Sequence, residues 1–127
     1  MSGDAACPCG SGRGYAECCG PLHAGAPALT AEALMRSRFS AFARGDAAYL
    51  TASWHPLTRP RDLDLDADVV WGRLQIVDTV AGGPGDAEGV VEFRASYRAP
   101  DGAGLLHERS HFTRVDGRWV YVDGDVS

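Results

Sequence analysis

The sequence predicts an α+β protein in which a small cysteine-bearing knuckle precedes helices packed on one face of a curved antiparallel four-stranded sheet. Three observations support this prediction. All four cysteines of the 127-residue chain lie between residues 7 and 19. Apolar residues then recur at helical spacing over 31–44. From residue 69 onward, extended apolar segments alternate with turns rich in glycine and aspartate.

The cysteines follow the pattern Cys7-x-Cys9, then eight residues, then Cys18-Cys19. Two thiol pairs brought together by one reversing loop supply four soft ligands, a set that suits tetrahedral Zn²⁺. Glycines in the loop permit its tight turns. We therefore expect one structural zinc ion held by these four thiolates, with no coordination position left for a reacting water.

Three other interpretations of these residues remain open. Two disulfides are one, although adjacent cysteines such as Cys18 and Cys19 rarely bridge each other and no secretory pattern precedes residue 7. In the second, His23 replaces Cys19 as the fourth ligand. Thiol exchange is the third, and the absence of a Cys-x-x-Cys pair disfavours it.

The segment from Cys7 to Gly20 reads C-P-C-G-S-G-x-x-Y-x-x-C-C-G. It resembles the SEC-C zinc motif of the C-terminal tail of the SecA translocation ATPase. One departure is Cys19, where the SecA tail usually has histidine. The resemblance implies a zinc-stabilised knuckle, residues 1–24, that contacts a protein partner such as a chaperone, ribosome or secretion component.

Composition limits the kinds of partner. A net charge of −5 and an isoelectric point near 5.2 argue against a nucleic-acid-binding surface. No apolar run is long enough to span a membrane. Four free thiolates on a metal suit a reducing compartment, so we expect the protein in the cytoplasm.

Two helices follow a predicted linker at 21–29, which is rich in alanine, glycine and proline. Thr30 is a favourable N-cap for a helix over 31–44, and the glycine after it ends that helix. Asp46 then caps a second, shorter helix over 47–53.

Four strands are predicted, at 69–80, 89–98, 105–115 and 118–122. Turns are expected at 82–86 and 100–104, and Asp116-Gly117 is a hairpin signal. Both alternation sets of the strands carry apolar residues, so we expect the second sheet face to be covered. The knuckle with its linker is the favoured cover; the alternative is another subunit, so the chain is a monomer or a weak homodimer.

A second resemblance covers nearly the whole chain. It is carried by segments 33–42, 54–56, 91–93, 106–110 and 118–124, which include Trp54-His55-Pro56 and Leu106-His107-Glu108-Arg109-Ser110. They resemble the YchJ family, which implies a SEC-C knuckle joined to a nuclear-transport-factor-like, cystatin-type α+β cone over residues 25–127. The resemblance implies this fold without implying an activity, because the cone hosts enzymes, carriers and adaptors.

Cones of this type enclose a pocket between helices and sheet. The candidates to line it are Arg38, Trp54, His55, Trp71 and Glu108. Strand alternation places His107 and His111 on the opposite face from Glu108, so these three cannot form one acid–base cluster. The two histidines could bind a metal, but no third ligand is identifiable.

Among these candidates, Arg38 and Glu108 are the two side chains that could form an ion pair or take part in acid–base chemistry. Both lie among apolar neighbours, and we predict a buried structural ion pair between them. In the alternative, Glu108 faces an open cavity away from Arg38 and serves as a general base. The first arrangement favours a protein-binding module without catalytic residues; the second favours a small-ligand carrier or a small enzyme.

Overall fold

The computed structural model describes residues 6–63, 65 and 67–126. A 3₁₀ turn at Tyr15–Glu17 precedes three helices: α1 Cys19–His23, α2 Ala31–Arg44 and α3 Ala47–Ala52. Four strands follow: β1 Val70–Ala81, β2 Glu88–Ala99, β3 Gly102–Val115 and β4 Arg118–Val126. They form one antiparallel sheet in the order β1-β2-β3-β4, which confirms the predicted α+β class.

The caps predicted for α2 and α3 are confirmed. The Ala33 amide donates to Thr30 Oγ1 at 3.0 Å, and Gly45 ends α2 in the left-handed conformation with φ of 73°. Asp46 Oδ1 accepts from the Tyr49 amide at 3.0 Å, which starts α3. Capping residues therefore define where α2 begins and ends and where α3 begins.

The predicted linker at 21–29 is partly helical instead. Helix α1 runs through Pro21 to His23. Proline is tolerated there because the amides of a first helical turn have no intrahelical acceptor. Gly25, with φ of 120°, lies just beyond the helix and donates to the Leu22 carbonyl at 3.0 Å.

The strands extend beyond their predicted ends. Gly104 belongs to β3 and not to the predicted turn, because it pairs with Tyr97, whose ring lies where a β-carbon of residue 104 would be. Residues 123–126 continue β4 because they pair with β3, Asp123 with His111 for example. The predicted strands stop at polar and glycine residues, because these residues have low strand propensity. In the structure the same residues pair with a neighbouring strand and continue the sheet.

The hairpin at Asp116-Gly117 is confirmed. The two residues have φ of 52° and 80°, the positive values that a two-residue type I′ turn requires. Val115 pairs with Arg118 directly across it. The turn therefore sets the register of β3 and β4 only as far as Phe112, because a register shift lies between Phe112 and His111, before the site residues further along β3.

The main core lies between α2 and one face of the sheet, called here the inner face. Leu34, Met35 and Phe39 of α2 belong to one buried cluster with Phe93 and Phe112 of the sheet. The start of α2 is attached to the β1–β2 turn by a bond from the Ala31 amide to the Gly82 carbonyl at 2.9 Å. Helix α2 is thus held close against the strands.

The sheet does not have the second apolar face that alternation predicted. Register shifts between Trp71 and Leu74, and between His111 and Phe112, interrupt the period of two. Trp71, Leu74 and Ile76 consequently all pack toward the same core, although their numbers differ in parity. β-Bulges thus gather residues of both alternation sets onto the inner face.

The other face, called here the outer face, carries charged side chains. Glu92 bonds to His107 at 2.6 Å and to Arg109 at 3.1 Å, and His111 bonds to Asp123 at 2.8 Å. The expectation that the knuckle covers this face is wrong, because the described part of the knuckle packs on α2 instead. Within the described ranges, no helix is long and apolar enough to span a membrane.

Candidate metal centre and pocket

The four cysteine sulfurs form one cluster, with every sulfur within 4.8 Å of the others. Cys9 Sγ lies 3.6 Å from Cys18 Sγ, which lies 4.0 Å from Cys19 Sγ. A tetrahedron with Zn–S bonds of about 2.3 Å has edges of about 3.8 Å, whereas a disulfide needs about 2.05 Å. The cysteines are free, so the two-disulfide alternative is wrong and the spacing fits a metal ion.

A tight loop presents the first two ligands. The Cys7 amide donates to the Arg13 carbonyl at 2.9 Å, and the Gly10 amide donates to the Cys7 carbonyl at 3.1 Å. Gly10 and Gly12 have φ of 79° and 87°, which glycine adopts without steric cost. The loop therefore reverses between the two cysteine pairs, as the spacing predicted.

Hydroxyl groups bond to the sulfurs from two sides. Ser11 Oγ lies 3.1 Å from Cys18 Sγ within the loop. Ser40 Oγ of α2 donates to Cys19 Sγ at 3.3 Å and lies 3.4 Å from Cys7 Sγ. Ser40 is fully buried, at 0% exposure, so these sulfurs are its environment. Such donors support thiolate charge and orient metal ligands.

Sequence reasoning missed Ser40 as a site residue. The available signal was a polar stripe on a core helix: Arg36, Ser40 and Arg44 recur every four residues along α2. All three contact the knuckle. Arg36 Nη1 donates to the Cys9 carbonyl at 3.0 Å, and the Arg44 guanidinium lies 3.9 Å from the centre of the Tyr15 ring.

The thiols ionise unequally when they share one cluster. The hydrogen bond with Cys19 lowers the pKa of the Cys9 thiol to about 4, and the same bond raises the pKa of the Cys19 thiol. Burial raises the pKa of Cys18. One thiolate is therefore favoured at the expense of its neighbours, and full ionisation of the set needs a cation at its centre.

His23 is not a fourth ligand, so that alternative is wrong. Its Nε2 donates to the Ser37 carbonyl at 2.8 Å, which leaves Nδ1 to accept from the Tyr15 hydroxyl at 2.6 Å. Both ring nitrogens are occupied in joining the knuckle to α2. The ring also packs on Tyr49 with a centroid separation of 4.5 Å.

A second candidate site is a cavity of about 200 Å³ between α2 and the inner face. Four of the five predicted lining residues border it: Arg38, Trp54, Trp71 and Glu108. His55 does not. Its backbone amide donates to the Tyr121 carbonyl at 2.8 Å and its Nδ1 accepts from the Leu57 amide at 3.0 Å, so it stabilises the turn after α3.

The predicted ion pair between Arg38 and Glu108 is wrong. No salt bridge of 4.0 Å or less joins these two described residues. Arg38 Nη1 donates to the Leu50 carbonyl at 2.9 Å and to Ser53 Oγ at 2.7 Å. Groups at the C-terminus of α3 therefore solvate the guanidinium, and burial lowers the pKa of Arg38 to about 10.

Glu108 has partners of its own on the sheet. Its Oε2 accepts from Ser110 Oγ at 2.6 Å and from the Tyr121 hydroxyl at 3.1 Å. His107 and His111 lie on the outer face, separate from Glu108, as strand alternation predicted. Among the residues that the structure describes, the four cysteines are the sole cluster of three or more potential metal ligands.

Comparison with known proteins shows similarity along nearly the whole chain. A family profile described as "YchJ, middle NTF2-like domain" matches residues 30–124, and the SEC-C motif profile matches residues 5–21. UPF0225 protein SCO1677 of Streptomyces coelicolor is 57% identical over 120 residues, which are 94% of each chain. UPF0225 protein CE1570 of Corynebacterium efficiens is 51% identical over 98% of this chain and 95% of its own.

Two solved structures share the fold. The solution structure of RPA3114, a SEC-C motif containing protein from Rhodopseudomonas palustris, has a TM-score of 0.79 and 33% identity, covering 95% of this chain and 98% of that one. The crystal structure of a SEC-C motif containing protein from Psychrobacter arcticus has a TM-score of 0.74 and 29% identity, covering 95% and 82%. The division at residues 24 and 25 stays a prediction.

Proposed function

The chain belongs to the YchJ family (UPF0225), and from this premise we propose that it is a cytoplasmic zinc protein whose knuckle binds a protein partner. The observation that carries the proposal is the set of four free cysteine sulfurs within 4.8 Å of one another. Cys7, Cys9, Cys18 and Cys19 then supply a complete tetrahedral shell. Zinc in that shell is structural, because no position is open for water or substrate.

The form of the knuckle supports a binding role. Its tip is exposed at Gly12, Arg13, Ala16 and Glu17. Its base is fixed, since Arg36 holds the Cys9 carbonyl and other side chains of α2 contact the loop. A small rigid loop with an exposed tip presents its contacts to a partner at low conformational-entropy cost. The acidic chain favours a protein over a nucleic acid as that partner.

Zinc content tests the metal half of the proposal. Protein purified without chelator is expected to carry one zinc per chain by elemental analysis, with X-ray absorption showing Zn–S distances of about 2.3 Å. Cys9→Ser is expected to lower the zinc content. Protein without zinc, or with a disulfide at Cys18 or Cys19, would contradict it.

A matched pair of variants tests the partner half. Ala16→Arg/Glu17→Arg changes an exposed Ala-Glu pair at the knuckle tip, and Ala87→Arg/Glu88→Arg changes an exposed Ala-Glu pair far along the sheet. In affinity capture from lysate, the wild type and the sheet variant are expected to retain the same partner, and the knuckle variant is expected to lose it. Both variants must retain zinc. Equal capture by the two variants would contradict the proposal.

A further inference from the structure

The cavity between α2 and the inner face contains two opposite charges that are not paired with each other. Its volume of about 200 Å³ equals the liquid volume of about seven waters, enough for one compact organic molecule. Phe39, Phe42, Trp71 and Leu106 provide apolar walls. The polar end of the cavity is formed by Arg38 and Glu108.

Arg38 has unused donors in the cavity. The side chain is only 3% exposed, and both of its hydrogen bonds leave Nη1. Nε and Nη2 have no acceptor among the described residues, and no carboxylate lies within salt-bridge distance. Its flat faces lie against the rings of Trp54 and Tyr121, at 4.9 and 4.6 Å from their centres. The buried guanidinium therefore has no counterion among the described residues and could bind an anion.

Glu108 has an unused acceptor in the same cavity. Both of its hydrogen bonds, from Ser110 and Tyr121, reach Oε2. Oε1 has no donor among the described residues. The cavity therefore has donors on its Arg38 side and an acceptor on its Glu108 side.

We propose that this cavity binds one small zwitterion, an α-amino acid with an apolar side chain. The α-carboxylate accepts from Arg38, the α-ammonium donates to Glu108 Oε1, and the side chain occupies the space beside Trp71. A simple carboxylate would meet the negative charge of Glu108, and a simple amine would meet the positive charge of Arg38. A ligand with both charges satisfies both groups at once, and the proposal does not rest on the protein-binding role of the knuckle.

The probes are L-leucine and L-phenylalanine, titrated into the zinc-loaded full chain and followed by calorimetry and by amide NMR. Saturable binding at one site is expected, with shifts centred on cavity residues. N-acetyl-leucine lacks the ammonium and isoamylamine lacks the carboxylate, so each is expected to bind at least about tenfold more weakly than leucine. N-acetyl-leucine binding as tightly as leucine, or no saturation by either amino acid, would overturn the proposal.

Two variants separate charge from shape. Glu108→Gln keeps an oxygen for Ser110 and Tyr121 but removes the charge, so leucine is expected to bind at least about tenfold more weakly and N-acetyl-leucine more tightly than in the wild type. The matched control Glu88→Gln, exposed on β2, is expected to change neither affinity. Gly124→Ala places a β-carbon on the Glu108 carboxylate and should weaken leucine binding without any change of charge.

Unchanged leucine binding in Glu108→Gln would refute the assignment of the ammonium to that carboxylate. Should Glu108→Gln fail to fold, the wild-type ligand series and Gly124→Ala still decide the matter. Equal affinities for leucine, N-acetyl-leucine and isoamylamine would then show an apolar cavity without zwitterion recognition.

Discussion

A single hydroxyl links helix α2 to the cysteine cluster. Ser40 is fully buried and lies within 3.4 Å of the sulfurs of Cys7 and Cys19. Serine in a helix interior is ordinarily neutral or unfavourable, and its usual alternative is a bond to a carbonyl one turn earlier. Here the hydroxyl bonds to sulfur instead, which places one of the supports of the site outside the cysteine motif.

Ser40→Ala is expected to weaken zinc binding by roughly tenfold, because ligand-supporting hydrogen bonds typically contribute 10–100-fold to metal affinity. Competition with a chromogenic chelator measures the change. Ser110→Ala removes an equally buried serine, also at 0% exposure, on the sheet, and should leave zinc affinity at the wild-type value. Equal affinities for the wild type and Ser40→Ala would show that the hydroxyl only fills space.

Tyr121 makes the free energy of unfolding depend on pH in the alkaline range. Burial, followed by the nearby Glu108, raises the pKa of this phenol above its ordinary value of 10.0. The unfolded chain therefore loses the phenol proton at lower pH than the folded chain does. The stability from this group is complete below pH 10 and is lost as pH rises toward the folded pKa.

Tyr121→Phe is expected to show a shallower decline in unfolding free energy than the wild type above about pH 10. Urea denaturation at several pH values measures the two slopes, and the other titrating groups are common to both proteins. At neutral pH the variant is expected to lose about 1–2 kcal/mol, because Glu108 loses one donor. Parallel pH profiles would contradict the assignment.

At the scale of elements, helix bounds were predictable and strand bounds were not. Thr30, Gly45 and Asp46 act through local geometry, so the bounds of α2 matched and α3 ended one residue early. The ends of the strands depend on cross-strand partners that are distant in sequence. Gly72 is a local signal for the bulge near Leu74, because a glycine inside a strand often marks a bulge. Simple alternation ignores this signal, which is why the expectation of a covered second face was wrong.

The sites show the same division. The cysteine spacing predicted the geometry of the cluster because all its members lie within one loop. The prediction of an ion pair between Arg38 and Glu108 was wrong because it assumed that two buried charges bond directly to each other. The carbonyl of Leu50 at the end of α3 and the hydroxyls of Ser110 and Tyr121 bond to them first, and none of these contacts follows from the spacing of the two residues.

Metal removal tests the independence of the two units. Chelation or Cys9→Ser is expected to unfold the chain up to about residue 21 and to leave the sheet folded, because metal binding contributes folding energy to the local loop. Hydrogen exchange should show lost protection in the knuckle and weaker protection along α2, where Arg36 and Ser40 lose their partners. Protection in β2 and β3 should persist. Global loss of the β signal would contradict this.

At the scale of the whole molecule, the charged outer face favours a monomer. Glu92, His107 and Arg109 bond to one another there, and pairing across a dimer interface would bury these charges at a cost. Light scattering at micromolar concentration is expected to give the mass of one chain, 13.5 kDa. A concentration-dependent mass near twice that value would instead support the weak homodimer.

Helix α2 is contacted from two sides. Arg36, Ser40 and Arg44 face the knuckle, while Arg38 and Phe39, from the same turns, border the cavity. A helix shared by two sites permits thermodynamic linkage between them. Any shift of α2 that favours one occupant over the empty state changes the affinity of the other, and the factor is the same in both directions. If α2 shifts in this way, an affinity measured at either site has to be given with the occupancy of the other.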